Sequence, residues 1–343
     1  MQLNDYKLEF RKRMLDLAWR QWVALGLQGY GAKWKHSPID PEALIMFTCE
    51  VGRRDQRLFD GMVEWVERNG RWINVSRAKR LLRETKVVPY KLFLGLVERG
   101  DPTLTSKFKA IQTWGSDEIQ PMPLFLGPDA EPMPTGRTLD PVFQQWGFLR
   151  NTYENRKICG PFPGVGAETL LLRLRAFTGL NARAELLNYL LLHSSGSPRA
   201  MARACGYGAP TVTLALSEMS ESGWVDLQSD GRRVLYSLRD REKWWSLLVG
   251  WPGIPKGVDW VAVMPALCQL HVMLEEACRD EASPRQQASR LRRFLESKSL
   301  QGLNLVAPEL RIGGNRLPSG EELIPVFQQQ VDQILDRLME GQP

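Results

Sequence analysis

Residues 181–238 read NARAELLNYLLLHSSGSPRAMARACGYGAPTVTLALSEMSESGWVDLQSDGRRVLYSL, and the punctuation of this stretch is that of three helices followed by a β-hairpin. Asn181 is placed to cap a first helix whose Leu186, Leu187, Leu190 and Leu191 face inward, and Ser194-Ser195-Gly196 ends it. Ser197 caps a second, short helix. Pro198 sits in its first turn, where a missing N–H costs nothing, and Met201, Ala202 and Cys205 form its apolar side. Gly206-Tyr207-Gly208 supplies a tight turn into a third helix that begins near Ala209-Pro210. There Val212, Leu216 and Met219, at i, i+4 and i+7, are predicted to face the core, which leaves Pro210, Thr211, Thr213, Leu214 and Ser217 outside. Gly223 closes that helix. Trp224 to Leu227 and Val234 to Leu238 then flank Ser229-Asp230-Gly231, a hairpin signal because Asp-Gly suits positive φ, and Arg232 and Arg233 stand beside the tip.

The stretch resembles the winged helix-turn-helix transcription regulators of the MarR and ArsR type over about 60 of the 343 residues. The run TVTLALSEMSESGWV from Thr211 looks like their recognition helix, and RRVLYSL from Arg232 looks like the return strand of their wing. The resemblance implies that Thr211, Thr213 and Leu214 face DNA and that Arg232 sits in the wing. The N-terminal end of such a helix reaches base edges in the major groove, with Pro210 and Ser217 bordering the same face. Arg199, Arg232 and Arg233 are the expected phosphate contacts. Leu214 departs from the family pattern, in which Arg or another polar residue often makes a bidentate base contact, so modest sequence discrimination is expected.

Charge is distributed unevenly. The chain carries 45 Lys and Arg against 39 Asp and Glu, a net charge of +6. Basic residues exceed acidic ones by 21 to 13 over residues 1–110 but only by 10 to 8 over 166–250. A long electrostatic footprint on DNA therefore has to recruit N-terminal residues. The most basic helix is predicted to start at Ser76 as its N-cap, with Ala78, Leu81 and Leu82 inside and Arg77, Lys79, Arg80 and Arg83 outside; Arg77 and Arg80 join the expected DNA contacts.

The expected architecture is mainly α: a winged helix-turn-helix of three helices plus a β-hairpin wing, framed by helical N- and C-terminal domains. Residues 1–115 form a basic helical domain, 116–165 a Pro/Gly-rich connector, 166–250 the winged helix-turn-helix and 251–343 a helical C-terminal domain. In the first, Leu8, Leu15, Trp19, Trp22 and Leu25 mark an amphipathic helix over residues 5–25, and Pro38 to Pro41 opens another. Eight prolines between Pro121 and Pro163 forbid long helices in the connector, while Phe125, Phe143, Trp146, Phe148 and Phe162 make it too aromatic for a free linker. In the last domain Val261, Met264, Leu267, Leu270, Leu274 and Cys278 form a helical stripe, which is the candidate interface of a homodimer.

Signatures of chemistry are few. The five cysteines are scattered without a CxxC pair, and three histidines are too dispersed for most metal sites; Cys268, His271 and Cys278 share one helix but belong to its apolar stripe, so packing is expected there rather than zinc. PGVGAET from Pro163 lacks the Lys of a P-loop. No GxSxG or HExxH motif occurs. The chain is accordingly expected to be no enzyme, to use no cofactor, metal or catalytic residue, and to be a cytoplasmic regulator of transcription, a repressor, whose partner is double-stranded DNA and which does not associate with membranes. The alternative is a protein-protein interaction module, an antitoxin or adaptor that neutralises a partner enzyme through its helical domains.

Overall fold

The computed structural model describes residues 1–29, 34, 37–85, 89–108, 120–128, 130–230, 233–250, 253–296, 302–306 and 317–340. Among them the chain is mainly helical, with fifteen α-helices and two small two-stranded sheets. No helix among the described residues is long and apolar enough to cross a membrane.

Helix α1 (Leu3–Ala24) turns Leu3, Tyr6, Phe10, Met14, Leu17 and Trp22 inward. Leu8, expected on that stripe, is exposed, while Leu15 and Trp19 are only half-buried at its edge. The aromatic rings at Tyr6, Phe10 and Trp22 bury more area than Leu8 could and so set the rotation of the helix. Helix α2 (Pro41–Val51) is buried along nearly its whole length, the mark of a central helix. Asp40 caps it by accepting from the Ala43 N–H at 2.9 Å. Helices α3 (Gln56–Asn69), α4 (Val75–Thr85) and α5 (Tyr90–Gly100) pack around it, and the short α6 (Pro102–Thr105) packs on α5. In the proline-rich segment β1 (Met122–Pro123) pairs in parallel with β2 (Phe148–Leu149) across α7 (Pro141–Gln145). Phe125, Phe143, Phe148 and Tyr153 enter the core from there.

Helices α8 (Leu170–Thr178), α9 (Ala182–Leu192), α10 (Pro198–Cys205) and α11 (Ala209–Glu221) lead into the antiparallel hairpin β3 (Val225–Asp230) and β4 (Arg233–Leu238), and then α12 (Arg241–Val249). The chain finishes with α13 (Trp260–Ala277), α14 (Pro284–Leu295) and α15 (Leu323–Glu340).

Two hydrophobic cores organise these elements. The second is built only from residues between Ala167 and Ile254. The first draws together both flanks: Tyr6 on α1 meets Phe327 on α15 edge-on at 6.3 Å, Trp34 meets Trp260 at 5.5 Å, and the Tyr6 hydroxyl donates to the Gln328 carbonyl at 3.2 Å. The segments expected as separate helical domains thus share one interior. One consequence overturns the expected dimer interface. Val263, Met264, Leu267, Leu270 and Leu274 of α13 are buried against α2 and α1 within the same chain, so the stripe from Val261 to Cys278 is core and not free surface.

Candidate functional site

From α9 to α11 the segment is punctuated as its sequence predicts, but β3 runs on through Ser229 and Asp230, which pair with Val234 and Arg233, so the ladder extends past the start of the expected Ser229-Asp230-Gly231 turn. Asn181 accepts from the Arg183 N–H at 2.9 Å, Ser197 accepts from the Ala200 N–H at 3.3 Å, and Pro198 occupies the first turn of α10. Gly206 closes α10 at φ +69°, where a Cβ would be strained, and Gly223 follows α11 at φ +77°. Between α9 and α10 the chain briefly becomes a third strand, because the Gly196 and Tyr236 amides and carbonyls exchange hydrogen bonds at 2.9 Å. That bridge fastens β4 to the helices.

Helix α11 is held from behind. Val212, Ala215, Leu216 and Met219 are buried against α9 and α10, whereas Pro210, Thr211, Thr213, Leu214 and Ser217 are exposed, as their spacing predicts. Leu214 is 63% exposed, an apolar side chain of this size left in water on the outward face. Farther along that face Glu218 pairs with Arg183, and the Ser217 hydroxyl donates to Glu221 at 3.1 Å. The negative charge there is partly matched within the chain.

The predicted cations divide. Arg199 is exposed on the first turn of α10. Arg232 and the side chain of Arg233 lie outside the described residues, and the backbone of Arg233 pairs with Asp230 at the last register position of the ladder. Arg80 is half-buried and donates to Glu84 at 2.6 Å, an i, i+4 pair. Arg77 is not a surface contact at all: it is 1% exposed. The cap of α4 explains the difference. Asn74, not Ser76, caps this helix by accepting from the Arg77 N–H at 3.1 Å, and Arg77 shares the packed face with Leu81 four residues on.

Arg77 belongs to a buried network of two guanidiniums and three carboxylates that joins the two cores. It donates to Asp40 (2.8 Å to Oδ1) and to Glu42 at 2.5 Å, and its Nε donates to the Cys205 carbonyl at the end of α10 at 2.7 Å. Arg175 on α8 binds both oxygens of Glu42 at 2.7 Å and reaches Glu185 on α9 at 2.6 and 2.9 Å. Beside it the Asn74 side-chain amide donates to the Tyr207 hydroxyl in the turn between α10 and α11.

Burial works against each charge here. It pulls the Arg77 guanidinium down, but Asp40, Glu185 and Glu42 outweigh it and leave Arg77 raised. Burial raises the Asp40 carboxyl, yet Arg77 outweighs that and holds it below its ordinary value. For Glu185 burial wins over Arg175 and Arg77 and the carboxyl is raised. The arrangement does no visible chemistry; it clamps α4 and α2 to the turn that carries α11.

Sequence reasoning missed Asp40, Glu42, Arg175 and Glu185. A signal was present, since Glu42 in PEALIMF, Arg175 in LLLRLRAF and Glu185 in ARAELLNYLLL each interrupt an apolar run, and a charge inside such a run is buried only with a partner. Arg175 and Glu185 are 10 residues apart on adjoining helices, but the other partners lie 35 to 133 residues apart, which no local pattern encodes.

Comparison of the chain with protein-family models, with curated proteins and with solved structures yields no match.

Proposed function

We propose that the chain is a double-stranded DNA-binding regulator of transcription, a repressor, whose residues 182–241 form a winged helix-turn-helix of the MarR and ArsR type. One observation carries this reading: the N-terminal half of α11 presents Pro210, Thr211, Thr213, Leu214 and Ser217 outward from a rigid backing, next to a hairpin strapped to the helices through Gly196 and Tyr236. A helix so presented fits a major groove, with Thr211 and Thr213 at base edges, Leu214 against a thymine methyl, and the hairpin over the neighbouring backbone. The clamp at Arg77 supports the reading from behind, because it seats the basic helix α4 on the turn that precedes α11. Arg80 and Arg83 on α4, with Arg199 on α10, then extend the cationic surface beyond the weakly charged hairpin unit.

A second reading, an adaptor that holds a partner protein, is favoured by the exposed Leu214 and the acidic Glu218 and Glu221 on the same helix. The decisive experiment is titration of the full chain with a mixed-sequence duplex across a salt series, followed by selection of preferred duplexes from a random pool. DNA binding requires a measurable salt slope and an enriched site; a flat response, with Leu214→Glu releasing a co-purified protein, would replace it with the adaptor reading. Light scattering on the same samples tests the homodimer, which would need a surface other than α13.

A further inference from the structure

Between the two cores lies a cavity of about 280 Å³, walled by α9 and α10 on one side and by the segments preceding α2 and α13 on the other. That volume is near the small end of the roughly 300–1,000 Å³ of ligand sites. The walls are stiff. Tyr189 and His193 stack at 4.0 Å and 12°, the His193 ring is held through Nδ1 on the Tyr189 carbonyl at 2.9 Å, and the Trp260 indole N–H donates to the Pro38 carbonyl at 3.1 Å. At Gly257 an added Cβ would stand 2.7 Å from the His193 ring, so only glycine lets the chain pass this close.

Four polar groups lining the cavity are incompletely matched. The Asn188 carboxamide oxygen is buried and, among the described residues, meets no hydrogen-bond donor. Asp259 caps α13 by accepting from the Ala262 N–H at 3.2 Å, but among the described residues no cation pairs with it. Burial, with Asp40 nearby, raises its carboxyl against the opposing pull of the Ala262 amide, Arg203 and Arg77. Arg203 and Lys256 line the same cavity from its exposed side, and among the described residues neither has an ion-pair partner. Among the described residues the acid inside and the two bases on the rim form no ion pair, although Arg203 is near enough to pull on the Asp259 carboxyl.

We propose that this cavity binds a small zwitterion of the amino-acid class, its ammonium on Asp259 and the Asn188 oxygen and its carboxylate on Arg203 and Lys256. A ligand with one charge satisfies one end and leaves the other as it was; a zwitterion satisfies both. Arg203 is on α10, one turn before the turn into α11, and Asp259 opens α13 in the other core, so an occupant ties the two cores together. An effect of that tie on DNA rests on the proposed DNA-binding function, whereas binding itself does not.

The test is calorimetry and thermal unfolding of the full chain with the twenty L-amino acids, alongside a simple alkylamine and a simple carboxylate as single-charge controls. At least one amino acid should bind and raise the unfolding midpoint by roughly 3 °C or more, with neither control doing so. Asp259→Asn keeps an N-cap residue on α13 and should weaken binding at least tenfold without lowering the midpoint of the free protein; Arg203→Ala with Lys256→Ala, both exposed, should do the same. Absence of binding by every amino acid, equal binding of the single-charge controls, or undiminished binding to Asp259→Asn would overturn the proposal. Duplex titration with and without the bound amino acid is a separate measurement. Failure of duplex binding alone, with calorimetric binding intact, counts against the DNA reading and not against the cavity.

Discussion

Arg77 of α4 donates through Nε to the backbone carbonyl of Cys205, 128 residues away, at 2.7 Å, and thereby fastens the last turn of α10 to a helix of the other core. A guanidinium suits this position because its planar fork serves three acceptors at once, Cys205, Asp40 and Glu42, from one buried point. An ammonium would supply the charge without the fixed directions.

Replacing Arg77 should therefore act on stability and on the junction between the cores. Arg77→Ala strands Asp40 in the interior, leaves Glu42 to Arg175 alone, and should lower the unfolding free energy by about 3–5 kcal/mol, read by urea denaturation. Hydrogen exchange should quicken at the end of α10 and around Tyr207 more than inside α9. Arg77→Lys should fall between the two. A change in duplex affinity with unaltered stability would instead assign Arg77 to the surface.

The hairpin and the outward face of α11 should fail differently when altered. Arg232→Ala with Arg233→Ala removes two cations beside the proposed backbone contact, so affinity should fall alike on all duplexes and the salt slope should shrink by about one to two units. Thr213→Ala should leave the slope nearly unchanged and blur the preferred site by roughly 1–3 kcal/mol at the affected base pair. Quantitative gel shifts on matched and mismatched duplexes at several salt concentrations separate the two patterns.

The fragment 166–250 contains the whole second core, apart from Ile254 at its margin, and should fold alone. It loses Asp40, Glu42 and Arg77 from the network while keeping the Arg175–Glu185 pair, so it should be less stable than the same region in the full chain. Its charge excess is only two, and its duplex affinity should be weaker, with a shallower salt slope. Equal affinity and slope for fragment and full chain would exclude any contribution from Arg80 and its neighbours.

Acid should weaken the first core through Glu275. This carboxylate accepts from Arg11 and from Arg54 at 3.3 Å, and lies 3.4 Å from Lys7 Nζ and 3.4 Å from His271 Nε2. Burial raises its carboxyl, but His271, Lys7 and Arg11 outweigh this and hold it far below the usual range. A depressed carboxylate contributes stability that is fully present above its unfolded value of about 4.3 and is lost as pH falls through the folded one. Glu275→Gln should cost about 2–3 kcal/mol at neutral pH, somewhat less than a fully buried case. The gap between wild type and variant in thermal midpoint should narrow steadily as the pH is lowered below about 4. A gap that fails to narrow below that pH would show that shape, not charge, is what Gln fails to replace.

What the sequence by itself determined is the order of three helices and a hairpin between residues 181 and 238 and, along α11, the side each residue faces. Asn181, Ser197, Pro198, Gly206 and Gly223 act within a few bonds of the backbone they cap or turn, and the spacing of Val212, Leu216 and Met219 follows from helical geometry alone. Hence Thr211, Thr213 and Leu214 could be placed outside without a structure. Only the tertiary structure decided that α1 and α15 share a core, that the apolar stripe of α13 is interior, and that Arg77 is buried among carboxylates from α2. An apolar stripe states that a face must be covered but not by what, and an arginine is read as solvated until the acids that meet it are known. Those acids come from distant parts of the chain, so the clamp behind α11 and the cavity beside it exist only once the two cores have docked.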